Sequence, residues 1–126
     1  MSHSNLRQLS MIAIWAAFLS WSTTALADDH YGAIAYSQST GSYGFSYDYD
    51  SRAAAEAQAR ENCDDRGCTV VLWFVNACGA LATGNGHAYG TGWASSRDEA
   101  ESIAMSNCKD EASGGCSISC WACTTR

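Results

Sequence analysis

The chain has 126 residues, with 13 Asp and Glu against seven Lys and Arg, a net charge of −6, seven cysteines and no proline. An acidic surface repels phosphate backbones, so nucleic-acid binding is disfavoured, and there is no basic run to meet an anionic membrane. The length suits one domain rather than two.

The N-terminus reads as a secretory signal over residues 1–27. Arg7 supplies a positive start, an apolar run extends from Leu9 to Trp21, and Ala25-Leu26-Ala27 has the small-x-small form of a cleavage site. The apolar run is about 13 residues, too short to cross a core of about 30 Å as a helix, which weighs against an uncleaved anchor. No cysteine follows the leader directly, which weighs against a lipid anchor. The expected mature domain spans 28–126, about 100 residues, with a thin core that staples would help. Arg7 is the one charged side chain of the leader, so cleavage takes the net charge from −6 to −7.

From there the chain reads as a duplication of about 31–78 and 79–126. Gly32-Ala33-Ile34-Ala35 aligns with Gly79-Ala80-Leu81-Ala82, Tyr43-Gly44 with Tyr89-Gly90, and Ser51-Arg52 with Ser96-Arg97. Ala55-Glu56 aligns with Ala100-Glu101, Cys63 with Cys108, Cys68 with Cys116 and Trp73 with Trp121. In each copy a short apolar strand comes first, as in Gly32 to Ser37. The turn chemistry of Gln38-Ser39-Thr40-Gly41-Ser42 follows it. Next, Tyr43, Phe45, Tyr47 and Tyr49 alternate with Gly44, Ser46 and Asp48, the period of a strand. The second copy repeats this with Tyr89, Thr91 and Trp93.

A helix is expected after each of these strands. Ser96 with Glu99 forms a capping box, and Ser51 keeps the N-cap with Ala54 in place of the glutamate. The apolar helix faces are small: Ala55, Ala59 and Cys63 in one copy; Ala100, Ile103, Ala104 and Cys108 in the other. Close seating on the sheet is therefore expected, with the strand glycines permitting the approach. A third strand closes each copy, Thr69 to Val75 and Ser117 to Cys123. The expected fold is α+β, a duplicated β-β-α-β unit with two helices on one face of a mostly antiparallel sheet.

All the cysteines lie beyond the leader, which reads as a disulfide framework in an oxidising compartment, secreted or periplasmic. The repeat suggests Cys63 with Cys68 and Cys108 with Cys116, short loops worth roughly 2–3 kcal/mol each. Cys78 with Cys123 would close a long loop across the copies, worth about 4 kcal/mol. Cys120 aligns with the inward-facing Leu72 and is expected to be a buried free thiol.

Several motifs have a chemical reading and a plainer one. Cys120-Trp121-Ala122-Cys123 has redox spacing, but only three residues follow, too few for the helix whose dipole activates such thiols. Cys116, Cys120 and Cys123 lack the paired spacings of a zinc site, and histidine is scarce. Gly84-Asn85-Gly86-His87-Ala88-Tyr89-Gly90 precedes a strand and has no lysine after it, so it is a hairpin turn and not a phosphate loop. His87 lies in that turn without a sequence partner. Asp48, Asp50, Asp64 and Asp65 lie by turns and helix ends, where solvated charge is ordinary. No enzyme activity, cofactor or metal is expected.

The aromatic set Tyr43, Phe45, Tyr47, Tyr49, Tyr89 and Trp93 has two readings: an exposed recognition surface, or core packed against its twin from the other copy.

Tyr31-Gly32-Ala33-Ile34-Ala35-Tyr36-Ser37, Tyr43-Gly44-Phe45-Ser46-Tyr47, Ser51-Arg52-Ala53-Ala54-Ala55-Glu56-Ala57 and the run from Trp73 to Ala82 resemble the bacterial family called domain of unknown function 4189. The resemblance covers roughly Tyr31 to Cys123 and implies an exported bacterial protein with duplicated units and no catalytic residues to carry over. Some relatives are described as secreted proteins acting on host cells. The chain departs from the family in having no proline, where relatives often place one before the helix. It also carries Cys120 where relatives usually have an aliphatic residue. The combined expectation is a non-catalytic module that binds another protein, as an inhibitor, an immunity-type partner or a secreted effector. It would make no contact with nucleic acid and no stable membrane insertion once the leader is cleaved. The alternative is a cell-wall or polysaccharide binder that uses the aromatic strand face.

Overall fold

The computed structural model describes residues 28–125, and the leader at 1–27 lies outside them. The first unit is β1 (Tyr31–Tyr36), β2 (Tyr43–Tyr49), α1 (Arg52–Cys63) and β3 (Thr69–Val75). The second is β4 (Cys78–Thr83), β5 (Tyr89–Ala94), α2 (Arg97–Glu111) and β6 (Ser117–Cys123). Both helices start at a serine N-cap. The Ser51 hydroxyl accepts from the Ala54 N–H at 3.1 Å and the Ser96 hydroxyl from the Glu99 N–H at 3.3 Å.

The fold is α+β and duplicated, but its strands form two sheets rather than one. The orders are β2-β1-β3 and β5-β4-β6, antiparallel throughout. Each unit forms a three-stranded sheet around its own central strand, β1 or β4, and the two sheets meet face to face because each presents an apolar inner face to bury. β1 lies over β4, β2 over β6 and β3 over β5. Between the sheets Ile34, Tyr36, Phe74, Leu81, Cys120 and Ala122 are buried. Large apolar side chains enclosed this way contribute about 2 kcal/mol each. Each helix covers the outer face of its own sheet, through Ala33, Ala35, Ala55 and Ala59 in one unit and Ala80, Ala82, Ala100 and Ala104 in the other.

The duplication extends to details of geometry. β3 carries one extra residue, Val71, between the pairs Ile34–Leu72 and Ala35–Val70. β6 carries its counterpart Ser119 between Leu81–Cys120 and Ala82–Ile118. Asn62 donates to the Phe45 carbonyl at 2.9 Å, as Asn107 does to Thr91 at 2.7 Å, so each helix guards the outer edge of its neighbouring strand. Arg52 lies 4.4 Å over Trp73 and pairs with Glu56. Arg97 lies 3.8 Å over Trp121 and pairs with Glu101. These layered groups fasten each helix start to the third strand of its unit.

Three disulfides staple the frame: Cys63–Cys68, Cys108–Cys116 and Cys78–Cys123. The third does not cross between the copies. Cys78 is the first residue of β4 and lies directly opposite Cys123 on β6, so the bridge ties two strands of the second sheet. At the matching place in the first sheet Tyr31 faces Val75.

Candidate binding surface at the open edge of the sandwich

β2 is an outer strand. Gly44 and Ser46 face α1, with the Ser46 hydroxyl donating to the Ala55 carbonyl at 2.6 Å. Tyr43, Phe45 and Tyr47 therefore point to the other side, the side of the second sheet. They stay 43%, 37% and 50% exposed because β2 overhangs the sandwich edge. Below them runs β6, and the open cleft between the two strands has a volume of about 570 Å³. Its walls are Tyr43, Phe45 and Tyr47 on one side and Ser119 to Cys123 on the other.

The aromatic stripe read from the alternation is not one surface. Tyr49 leaves it, because β2 has an extra residue between the pairs Ala33–Ser46 and Tyr31–Tyr49. Asp48 takes a left-handed backbone there, at φ 61, and the slip turns Tyr49 to the helix side, where it packs with Tyr31 and the alanines. Tyr89 is half-buried, edge-on to Tyr36 at 5.1 Å. Trp93 is 62% exposed but lies at the opposite edge of the sandwich, over β3. Each of the two earlier readings thus holds for part of the set. Tyr49 and Tyr89 pack inward, while Tyr43, Phe45, Tyr47 and Trp93 remain at the surface.

Cys120 is 7% exposed and unbridged, on the floor of the β2–β6 cleft. Burial pushes its thiol up to about 12, the reverse of an activated cysteine. Cys123, three residues on, is committed to Cys78, so the C-x-x-C spacing does not form a dithiol.

The sequence reads Asp48, Asp65 and His87 as turn residues without partners, but in the structure each is engaged, and Asp48 and His87 tie the copies together. The Asp48 carboxylate accepts from the Thr125 N–H at 2.9 Å and lies 3.4 Å from His30 Nδ1. His87 Nδ1 meets the Gln38 carbonyl at 2.9 Å, and the Tyr36 hydroxyl donates to the His87 carbonyl at 3.0 Å. His87 therefore joins the turn of the second unit to that of the first. Asp65 accepts from Thr40, a bond that holds its carboxyl below the usual range, with further bonds from the Ser37 side chain and the Gly67 N–H. These residues belong to turns and to the junction of the units, and Asp48 with Thr125 closes one end of the aromatic cleft, next to Tyr47.

The model of the domain of unknown function DUF4189 matches residues 31–123. The chain belongs to this family. It is 44% identical over 99 residues to Protein Rv1269c of Mycobacterium tuberculosis, covering 79% of this chain and 73% of that one. It is 40% identical over 94 residues to the uncharacterized protein Rv1813c of the same species, covering 75% of this chain and 60% of the relative. The NMR structure of Rv1813c superposes with a TM-score of 0.56 at 35% identity, over 75% of this chain and 74% of that one.

Proposed function

We propose that the chain is an exported, non-catalytic module that binds another protein through the edge of its sandwich. The observation that carries this reading is the exposed row Tyr43, Phe45 and Tyr47 above an open apolar cleft. Aromatic side chains held on a rigid strand give large contact area for little loss of freedom, and they are enriched where proteins meet partners. The frame beneath them is stiff, with three disulfides, two of them tethering a helix end to the next strand. Three bridges in so small a domain fit an oxidising compartment, secreted or periplasmic. No helix among the described residues is long and apolar enough to cross a membrane.

The role would be that of an inhibitor, an immunity-type partner or a secreted effector. The test is capture by the tagged, oxidised mature domain from exported proteins, run beside a Phe45→Ala/Tyr47→Ala variant that retains its fold. A stoichiometric partner held by the parent and lost from the variant is expected. Equal capture by both would remove the aromatic edge as the site. Sedimentation with peptidoglycan that depends on the same two residues would favour a wall-binding role instead.

A further inference from the structure

The end of β6 shows which of its backbone groups face outward. Thr124 donates its N–H to the Ala77 carbonyl at 2.9 Å, so these two residues, next in register after Cys78–Cys123, form a hydrogen-bonded pair. Bonded and unbonded pairs alternate along an antiparallel ladder. Gly79–Ala122 and Leu81–Cys120 are therefore bonded pairs, and the N–H and C=O groups of Trp121 and Cys123 point away from β4. β6 is the last strand of its sheet, so these groups have no strand beside them. Thr125 is the next outward position, and there the Asp48 carboxylate accepts the N–H at 2.9 Å. On β2 and β5 a helix asparagine occupies a carbonyl, Asn62 at Phe45 and Asn107 at Thr91. Among the described residues no side chain bonds to the backbone of Trp121 or Cys123. The strand reads Ser-Ile-Ser-Cys-Trp-Ala-Cys, with neither the charge nor the proline that commonly guards an edge. Its bulge at Ser119 comes before this stretch, and Cys120 to Cys123 pair regularly with β4. Cys120 and Ala122 are 7% and 3% exposed, so the space between the sheets is closed and the open volume lies alongside β6, bounded by Tyr43, Phe45 and Tyr47.

We infer that β6 is a docking edge, where an extended segment of the partner protein joins the sheet as an antiparallel strand, bonded to Trp121 and Cys123 and passing beside the aromatic row. This deepens the proposed function and rests on it. Strand addition supplies main-chain bonds for affinity. A strand laid about 4.8 Å outside β6 turns one of its faces to Tyr43, Phe45 and Tyr47. Charge orients the occupant. An antiparallel segment enters at the Cys123 end, where Asp48 and Asp50 stand, and His30, 3.4 Å from Asp48, offsets one of these charges at most. β2 and β6 carry no lysine or arginine, so basic residues just before the added strand are favoured. The net charge of −6 becomes −7 without Arg7, which repels a second copy. β3 is the comparison edge. Asn76 donates to the His30 carbonyl at 2.9 Å, so Trp73 and Val75 face outward in the same way, but Trp93 stands over them in place of the aromatic row.

The test uses the oxidised domain, residues 28–126, and the peptide Lys-Lys-Thr-Val-Thr-Val-Thr-Ser, followed by amide chemical shifts and hydrogen exchange. Shifts over β2 and β6 are expected, with slowed exchange of the Trp121 and Cys123 amides and least change at Ala122, which is already bonded to β4. No binding at millimolar peptide, or shifts centred on β3 and β5, overturns the proposal. Methylating the peptide nitrogens at alternate positions gives two probes. One is expected to bind at least about tenfold more weakly and the other within about threefold of the parent, because only every second N–H of an added strand faces β6. Equal loss with both overturns strand pairing. Glu-Glu in place of Lys-Lys should weaken binding about fivefold at low salt, and equal affinity would refute the basic occupant. Trp121→Pro removes one outward N–H while keeping the bonds to β4, and is expected to abolish binding that Trp121→Ala retains. If the proline variant fails to fold, the methylated peptides decide. Partner capture that needs Phe45 and Tyr47 but persists in folded Trp121→Pro overturns strand addition and leaves the proposed function standing. Capture that persists in Phe45→Ala/Tyr47→Ala removes both. Self-association of the domain that blocks the peptide, or displacement of the peptide by peptidoglycan, would put another occupant on this edge and overturn the proposal.

Discussion

Gly44 and Gly90 are where the helices come closest to the strands, and replacing either with alanine should be among the most damaging single changes at the helix–sheet contact. A Cβ at Gly44 would stand 2.5 Å from the Ala59 carbonyl oxygen and 2.6 Å from the Asn62 carbonyl carbon, and closer still to the Cys63 nitrogen. At Gly90 the matching atoms are the Ala104 oxygen at 2.5 Å, the Asn107 carbon at 2.6 Å and the Cys108 nitrogen. All of these are backbone atoms, so no side chain can swing aside. To reach ordinary contact the helix must lift by about 1 Å. That would part the fully buried Ala33 and Ala35 from Ala55 and Ala59 in the first unit. The helix end is also tethered by Cys63–Cys68 or Cys108–Cys116, which limits how far it can tilt. The cost should fall at the upper end of the overpacking range, about 3 kcal/mol. For a domain of this size that is a loss of roughly 2 M in the urea midpoint. Gly86→Ala is the control. Nothing lies within 4 Å of its would-be Cβ, and only the left-handed backbone at φ 69 resists the change. Its cost should be about 1 kcal/mol. Equilibrium unfolding of the oxidised proteins in urea compares the three. If Gly44→Ala and Gly90→Ala lose no more than Gly86→Ala, the close seating of the helices is wrong.

Three further outcomes follow from the same structure. Cys120 should resist dithionitrobenzoate in the native protein at pH 8 and react on unfolding; fast native reaction would show that the cleft floor is open to solvent. Because burial raises its folded pKa above the unfolded value, its contribution to stability is whole below about pH 9. It declines by roughly 1.4 kcal/mol per pH unit until the folded group titrates at about 12, a slope that Cys120→Ala should lack in alkaline urea titrations. Arg97→Ala should cost about 1 kcal/mol through loss of the contact with Trp121, and Arg52→Ala about the same through Trp73; costs above about 3 kcal/mol would mean that these exposed groups do more than clamp a helix start. Removing Cys78 and Cys123 together should cost about 4 kcal/mol, against roughly 2–3 for either short bridge, and thermal unfolding of the paired serine variants ranks them.

Much of the fold can be read from local chemistry. The span of β2 follows from its alternation, the helix starts follow from Ser51 and Ser96, and the third strands follow from β-branched and aromatic content. The split into two sheets is less accessible. Alternation identifies which side chains share a face, but it does not tell whether two three-stranded units meet by edge or by face. The Asp48 bulge is hidden for a similar reason. An unbroken Tyr-x-Phe-x-Tyr-x-Tyr pattern looks like one strand face, and only the pairing of Tyr31 with Tyr49 shows the slip that turns Tyr49 inward. The placement of Cys78 turned on one residue, because a repeat boundary drawn after it assigns to the first copy a cysteine that begins β4.

The most direct test of the central claim is hydrogen exchange of the oxidised domain, residues 28–126, alone and with a protein partner supplied by the proposed capture. The account predicts new protection over Tyr43–Tyr49 and Ser117–Cys123, with α2 and the β3–β5 edge unchanged. Protection centred on β3 and β5 or on the outer faces of the helices, with none at β2, would contradict it.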